Sequence, residues 1–393
     1  MQAFPYVLAP SDDGDVVAAK LLGTAPVVRA QLPDGTQVWL VLSHEAARRV
    51  FTDSTFSRAE ALRPGAPVLL RAAVDPDLLL SIDPPRHTRI RRAMARAFSP
   101  RMVDRLVPRI HQLCEELLDA VAANGPPADL VTLFAEPLPI VVLCELLGVP
   151  YDDRDKIRAW AKRVLATAGF TVAEITDAIG QTREYLGTLA TARRAEPGHD
   201  LITELVHQAD EQDALSENEL LANLQLLLIA GHETTANQLA NSLLALFRHP
   251  DQLTLLRNRP ELIERAVEEL LRYVRLTVPM QATIALRDTD LAGAAIKTGD
   301  AVVVVNPAAN RDPAVFTDPH RLDITRANSH QHLGFGHGTH FCLGAQLARL
   351  ELRIAFTTLF NRFPHLSLAV DETHLRWHTG TPTRSLTALP VTW

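Results

Sequence analysis

One run of the chain constrains the fold more than any other. Ser216 and Glu219 make the Ser-x-x-Glu pattern of a helix start, in which each side chain satisfies the other residue's backbone N–H. No proline follows until His249-Pro250. The pattern predicts a helix of about 32 residues, roughly 48 Å long at 1.5 Å per residue. A helix of that length must cross the whole molecule. Leu220 to Ala230 is apolar nearly all round, so the helix is covered on most faces. The rest of the fold has to be built around it.

The remainder reads as mostly helical. Val27 to Leu42 alternates and turns at Asp34-Gly35, a hairpin signal. Helical patterns then dominate from about Glu45 to Tyr273, including a helix through Glu261 to Tyr273. They are broken at Asp83-Pro84-Pro85, Gly125-Pro126-Pro127 and Glu196-Pro197-Gly198. Val278 to Asn306 turns to short strands, among them the run Ala301 to Val305. Pro307 to His332 is irregular, a last helix is expected over Ala345 to Phe360, and the tail 366–393 is strand-like with a turn near Gly380 and Pro382. There is no internal repeat and no polar linker. The expectation is one domain, 1–393, mainly α with a small β portion (α+β).

Several classes are excluded. Apolar residues make up 47% of the chain, too many for disorder. No run reaches the roughly 18 apolar residues of a membrane span, the best candidate, Ile140 to Val149, being broken by Glu145. Met1 to Pro10 has neither the basic nor the apolar region of a signal peptide. Three cysteines are too few for a disulfide framework and suit a reducing compartment. These features predict a cytoplasmic chain with no membrane association. The net charge of −7 argues against nucleic acid as a partner.

The most informative short segment is Phe335-Gly336-His337-Gly338-Thr339-His340-Phe341-Cys342-Leu343-Gly344, followed at once by a helical pattern. Three glycines allow a tight loop. A cysteine just ahead of a helix start sits in positive potential, which favours the thiolate. N–H groups of Leu343 and Gly344 could donate to its sulfur and hold it against a metal. Two other readings stand beside that one: a buried structural cysteine in a turn, and zinc held by His337, His340 and Cys342, although the paired spacing usual for zinc is absent. Cys114 and Cys144 lie in apolar helical patterns and read as core.

Ala230-Gly231-His232-Glu233-Thr234-Thr235 interrupts the apolar helix at its centre. Glycine there costs about 1 kcal/mol relative to alanine, and a buried carboxylate is costly without a partner. The segment is either a kink with a satisfied polar patch or a proton-delivery site, since an acid beside a hydroxyl can relay protons. Glu269 and Arg272, three apart, share a helix face. His87 and Arg91, four apart, do likewise and suit an anionic partner.

The ten-residue cysteine segment matches every defined position of the haem-ligand signature of the cytochrome P450 family, Phe-Gly-x-Gly-x-His-x-Cys-x-Gly. The resemblance extends over nearly the whole chain. It implies a cytochrome P450 fold with the long helix lying over a haem. It implies Cys342 as axial ligand of the iron, with Phe335, Gly336, Leu343 and Gly344 in the loop around it. The segment at 230–235 is similar to the family's oxygen-binding groove. There Ala230 and Gly231 open the helix beside the haem, Thr234 contacts dioxygen and Glu233 supports proton delivery. His232 occupies a variable position. His87, Arg91 and His340 stand where the family contacts the haem propionates. Glu269 and Arg272 resemble the structural Glu-x-x-Arg pair, with Arg321 expected as the third member. One departure is Thr283, at a position where many bacterial members carry a propionate-binding arginine, which leaves Arg287 as a possible substitute.

The resemblance implies a monooxygenase using heme b and dioxygen, with electrons from NAD(P)H reaching it indirectly, because no flavin or dinucleotide fingerprint stands in the chain. A ferredoxin and a ferredoxin reductase are the expected donors. The segment 86–109, with eight arginines and the single acid Asp104, is the expected docking surface. By position, Val68, Leu69 and Leu70 resemble an active-site lid, and Leu227, Val278, Met280 and Thr381 complete a pocket. Their apolar character suggests a medium-sized small-molecule substrate, of the kind tailored in secondary metabolism by hydroxylation, epoxidation or coupling. A haem-binding sensor or scaffold without turnover is the alternative from a different class.

Overall fold

The computed structural model describes residues 2–3, 20–98, 100–210 and 214–393. The expectations for Met1 and for 4–10 at the amino terminus, and the side chain of Arg101, lie outside the described residues.

The alternating segment at 27–42 forms the predicted hairpin. β2 (Val27–Gln31) pairs antiparallel with β3 (Gln37–Val41), Val28 opposite Leu40. It is joined by β1 (Gln2–Ala3), β4 (Phe56–Ser57), β6 (Thr283–Ala285) and β9 (Ala301–Val304) in a six-stranded sheet of order β1-β2-β3-β9-β6-β4. Strand periodicity sends successive residues to opposite faces. Leu40 and Val303 enter one apolar cluster while Val41 and Val302 enter another, so the sheet is buried on both sides. β7 (Thr289–Leu291) and β8 (Ala294–Ile296) form a separate hairpin. β5 (Ala128–Asp129), β10 (Ser367–Leu368) and β11 (Pro390–Thr392) form a small sheet of order β10-β11-β5.

The helices in chain order are α1 (His44–Thr52), α2 (Arg86–Ala97), α3 (Pro100–Asn124), α4 (Pro137–Leu147), α5 (Arg154–Val164) and α6 (Val172–Ala195). They continue with α7 (Leu201–Asp210), α8 (Glu217–Arg248), α9 (Pro250–Asn258), α10 (Ile263–Tyr273) and α11 (Ala345–Arg362). The long helix has the predicted 32 residues. Its predicted cap is formed: Ser216 N–H donates to Glu219 Oε2 at 2.9 Å and Glu219 N–H to Ser216 Oγ at 3.3 Å.

The chain clusters into two compact units, each discontinuous in sequence. One comprises residues 1–70 and 241–342 and holds the six-stranded sheet, α1, α9 and α10. The other comprises 71–240 and 343–393 and holds α2 to α7, most of α8, and α11, which packs against α3.

The helical expectation from Glu45 to Tyr273 fails over 53–85. That stretch contains β4 and short 3-10 turns at Ala59–Leu62, Arg71–Ala73 and Leu79–Ser81. Pro64, Pro67, Pro76, Pro84 and Pro85 remove the donors a helix would need. Its second half is strapped down by charge. Asp75 pairs with Arg183 of α6, and Asp77 with Arg86 of α2 at 2.5 Å. Asn223 of α8 donates to the Asp77 carbonyl and accepts from Leu79 N–H, both at 2.9 Å.

Candidate functional site

The cysteine loop is built at the end of the first unit. Cys342 N–H donates to Phe335 O at 2.9 Å and Gly336 N–H to Leu333 O at 2.9 Å, closing a compact turn. Gly336 and Gly338 sit at φ +70 and +66, where side chains are disfavoured. A Cβ at Gly338 would stand 2.5 Å from the carbonyl oxygen of Phe51 in α1, so the loop lies hard against that helix. Phe335 meets Phe341 edge-on at 6.3 Å. Gly334 N–H donates to His332 Nδ1 at 2.9 Å, which leaves the ring proton on Nε2, directed to Glu268 at 3.2 Å.

The three cysteines differ in environment. Cys342 is exposed, whereas Cys114 and Cys144 are buried. Burial first, then neighbouring acids, pushes Cys114 to about 12 and Cys144 to about 11, so both stay protonated. Only Cys342 offers an accessible sulfur. His340, two residues before Cys342, lies in a 3-10 turn (Gly338–His340). No group of three or more His, Cys, Asp or Glu side chains among the described residues has a metal-binding arrangement. Gly344 occupies the N-cap position of α11, half-buried like Leu343 before it.

Behind this loop, in the same unit, lies the Glu-x-x-Arg network. Arg272 and Glu269 are fully buried and joined by two 2.8 Å hydrogen bonds. The remaining Arg272 donors reach the carbonyls of Asn310, Pro319 and Arg321, so all five N–H groups are satisfied. The third member is Arg326 and not Arg321. Arg326 Nε reaches both Glu269 oxygens at 3.1 Å, while the Arg321 side chain is exposed and only its carbonyl takes part. The signal was present: Leu322, Ile324 and Arg326 alternate on the buried side, and Arg321, Asp323 and Thr325 on the other.

Thr283 lies in β6 and bonds Val302 O at 3.3 Å. Arg287 does not substitute for the absent arginine. Its side chain is 71% exposed and stands 3.9 Å from Asp53. Of the expected pocket residues in this unit, Leu70 is buried and Leu69 packs on the sheet's core, so both read as core. Val68 and Met280 are exposed and Val278 is half-buried.

In the second unit, α8 carries the segment 230–235. Its middle is buried except for a stripe at Leu226, Leu227, Ala230, Gly231, Glu233 and Thr234, spaced at the helical repeat. At Gly231 the direction its Cβ would take leads to Leu143 of α4, 3.2 Å away, so glycine permits the two helices to approach. Thr234 Oγ1 donates back to Ala230 O at 2.7 Å. His232 lies on the buried side, and burial lowers it to about 4, so it is neutral. Burial raises the Glu233 carboxyl above its usual range, against a hydrogen bond from Thr383 and with some help from the Glu136 charge. Thr383 was not foreseen, and no local sequence signal marks it. Thr381, expected in the pocket, spends its hydroxyl on the Thr383 carbonyl at 2.7 Å.

His87 is buried and Arg91 half-buried one turn apart on α2. The same helix shows another face to Glu219. Arg86 and Arg89 both bond that carboxylate, at 2.8 and 2.6 Å. Burial alone would raise Glu219, yet the bonds from Arg89, Ser216 N–H and Arg86 hold it at about 2.

Each unit carries groups of a kind that suits a haem: the first an accessible soft donor on a rigid turn, with His340 beside it in sequence, and the second an acid and a hydroxyl on the open stripe of a buried helix, with His87 and Arg91 on α2. The comparisons agree. The cytochrome P450 family model matches residues 160–259 and 256–384. Nocardicin C N-oxygenase of Nocardia uniformis subsp. tsuyamanensis is 45% identical over 377 residues, 95% of this chain and 94% of that protein. Mycinamicin IV hydroxylase/epoxidase of Micromonospora griseorubida is 44% identical over 375 residues, again 95% and 94%. The crystal structure of the LnmA cytochrome P450 hydroxylase from the leinamycin pathway of Streptomyces atroolivaceus S-140 superposes with a TM-score of 0.91, at 43% identity and full coverage of both chains. Each of these relatives is named for catalysis, which gives the non-catalytic alternative no support. A cysteine signature matched at every position and identity of this level along nearly the whole length lead to one conclusion: the chain belongs to the cytochrome P450 family.

Proposed function

We propose that Cys342 is the axial thiolate of this monooxygenase and that Glu233 and Thr234 deliver protons to the reacting oxygen. The class itself is established by the family: a P450 monooxygenase with heme b, dioxygen as co-substrate, and electrons derived from NAD(P)H through redox partners. When bound, the haem supplies oxygen activation, and an axial thiolate pushes electron density that favours O–O cleavage.

The chain's own residues do the rest. The Phe335–Cys342 turn holds the sulfur outward. His87, Arg91 and His340 take the propionates. Glu233, its carboxyl raised above the usual range by burial, is an acid that can pass a proton on. Thr234, now bonded back to Ala230 O, can rotate its hydroxyl toward the open stripe. Leu227 and Ala230 give that stripe an apolar border that limits water. The exposure of Cys342 alone among three cysteines is the observation that carries the ligand assignment.

The substrate is read as a medium-sized, largely apolar intermediate of secondary metabolism, with Val68, Leu227, Val278 and Met280 facing it. Relatives named for N-oxygenation, hydroxylation and epoxidation support oxygen insertion of this breadth. No helix is long and apolar enough to cross a membrane. We take the electron donors to be a ferredoxin with its reductase, the compartment to be the cytoplasm, and residues 1–393 to form one P450 domain.

The test is the spectrum of the reduced protein under carbon monoxide. A Soret band at the far-red position of thiolate-ligated haem is expected, lost in Cys342→Ala. A thiolate-type spectrum retained in that variant refutes the ligand assignment. Thr234→Ala should keep the haem and divert electrons to peroxide, and complete coupling to product would refute the relay. Spin-state titration with a metabolite panel then identifies the substrate.

A further inference from the structure

Glu233 is held by a segment far away in sequence. Thr383, in the carboxy-terminal tail and buried, donates from Oγ1 to Glu233 Oε1 at 2.5 Å. Asn237, one turn beyond Glu233 on the same face of α8, donates from Nδ2 to Thr383 Oγ1 at 3.2 Å. The tail turn beneath is fixed twice, by Thr381 Oγ1 on the Thr383 carbonyl at 2.7 Å and by Thr167 N–H on Gly380 O at 2.8 Å.

The direction of these bonds has a consequence. A hydroxyl carries one proton and two lone pairs. Asn237 Nδ2 can only donate, so it occupies one lone pair, and the Thr383 proton is left for Glu233. An ionised Glu233 therefore receives a donor at Oε1. A protonated Glu233 can carry its proton on Oε2 and still accept from Thr383 at Oε1. One contact thus accommodates both states of an acid that must gain and lose a proton in every cycle. It also commits Oε1 and leaves Oε2 to exchange protons.

We propose that Thr383, oriented by Asn237, is a positioning residue for proton delivery, fixing the rotamer of Glu233 and selecting which of its oxygens takes part. The role rests on the reading of Glu233 as the relay acid. The groups bearing on Glu233 are few. Glu136, at the start of α4, repels it, and His232 beside it on α8 is neutral. In the tail, Arg384 lies over the Trp377 ring at 4.2 Å. Burial and Glu136 raise the carboxyl, and Thr383 is the group that lowers it. Loss of the hydroxyl should therefore move the Glu233 titration upward, by about one pH unit for a hydrogen bond to a charged group.

The readout is the Glu233 carboxyl stretch in pH-difference infrared spectra of the haem-loaded protein, identified by its disappearance in Glu233→Gln. In Thr383→Val the protonated band should persist about one pH unit higher. Thr383→Ser should restore the wild-type titration, and Asn237→Leu should shift it in the same direction by less. The pH at which electrons begin to leak to peroxide should move with the band. An unchanged band and titration in Thr383→Val overturns the role. Failure of the underlying reading looks different: Glu233→Gln would keep full coupling while Thr383→Val still moves the band.

Discussion

Three buried carboxylates show how much a side chain's neighbours decide. Glu269 is met by two arginines and the Asp323 N–H. Glu219 closes its own helix cap and binds Arg86 and Arg89. Glu351 of α11, equally buried, has no hydrogen-bond partner for Oε2 among the described residues, and burial raises it to about 8. The pH dependence follows from linkage. Below about pH 4.5 both folded and unfolded chains carry a protonated Glu351. As the pH rises the unfolded chain ionises first, so stability falls until the folded group ionises near 8. Glu351→Gln should therefore lose less of its melting temperature between about pH 5 and about pH 8 than the wild type does. Thermal scans at the two pH values measure this. An equal loss in both proteins would mean that Glu351 is ionised in the fold.

At the scale of elements, α8 and the irregular 307–332 segment work in opposite ways. α8 is regular because its sequence repeats at the helical period, and one stripe of it is left uncovered. The 307–332 segment has little regular structure and is ordered by buried side chains reaching its carbonyls. Arg272 and Arg326 between them bond the carbonyls of Asn310, Thr317, Asp318, Pro319 and Arg321. Arg326→Leu should cost about 3–5 kcal/mol, because it strips one cation from a buried carboxylate. Arg321→Ala should stay within about 0.5 kcal/mol. Denaturant midpoints of the two variants decide the matter, and equal effects would contradict the assignment of Arg326 as the third member.

For the whole molecule the issue is charge. The chain is acidic overall, at −7, yet 86–109 is crowded with arginine. Much of that charge is used internally. Arg86 and Arg89 serve Glu219, Arg96 bonds Gln208, and Arg109 pairs with Glu145 and Glu116. Arg92 and Arg105 remain exposed and have no ion pair among the described residues. Among the described side chains, the docking expectation therefore narrows to these two. Arg92→Glu with Arg105→Glu should slow reduction by a ferredoxin on the order of tenfold at low salt, the gap closing as ionic strength rises. Stopped-flow reduction under carbon monoxide reads this directly. An unchanged rate and salt slope would place docking elsewhere.

Local order along the chain set what depends on neighbours in sequence. The length of α8, its Ser216–Glu219 cap, the hairpin at Asp34-Gly35 and the cysteine turn all rest on local periodicity, backbone freedom or spacing, and each formed where it was expected. Tertiary contacts set which distant group meets which. Arg326 displaced Arg321 because burial selects one side of an alternating segment. Gly231 turned its bare face to Leu143 because two helices approach there. Thr383 reached Glu233 across 150 residues, and Glu351 Oε2 was left without a hydrogen-bond partner among the described residues, because hydrogen bonds and desolvation act through space and leave no trace in the local pattern of the chain.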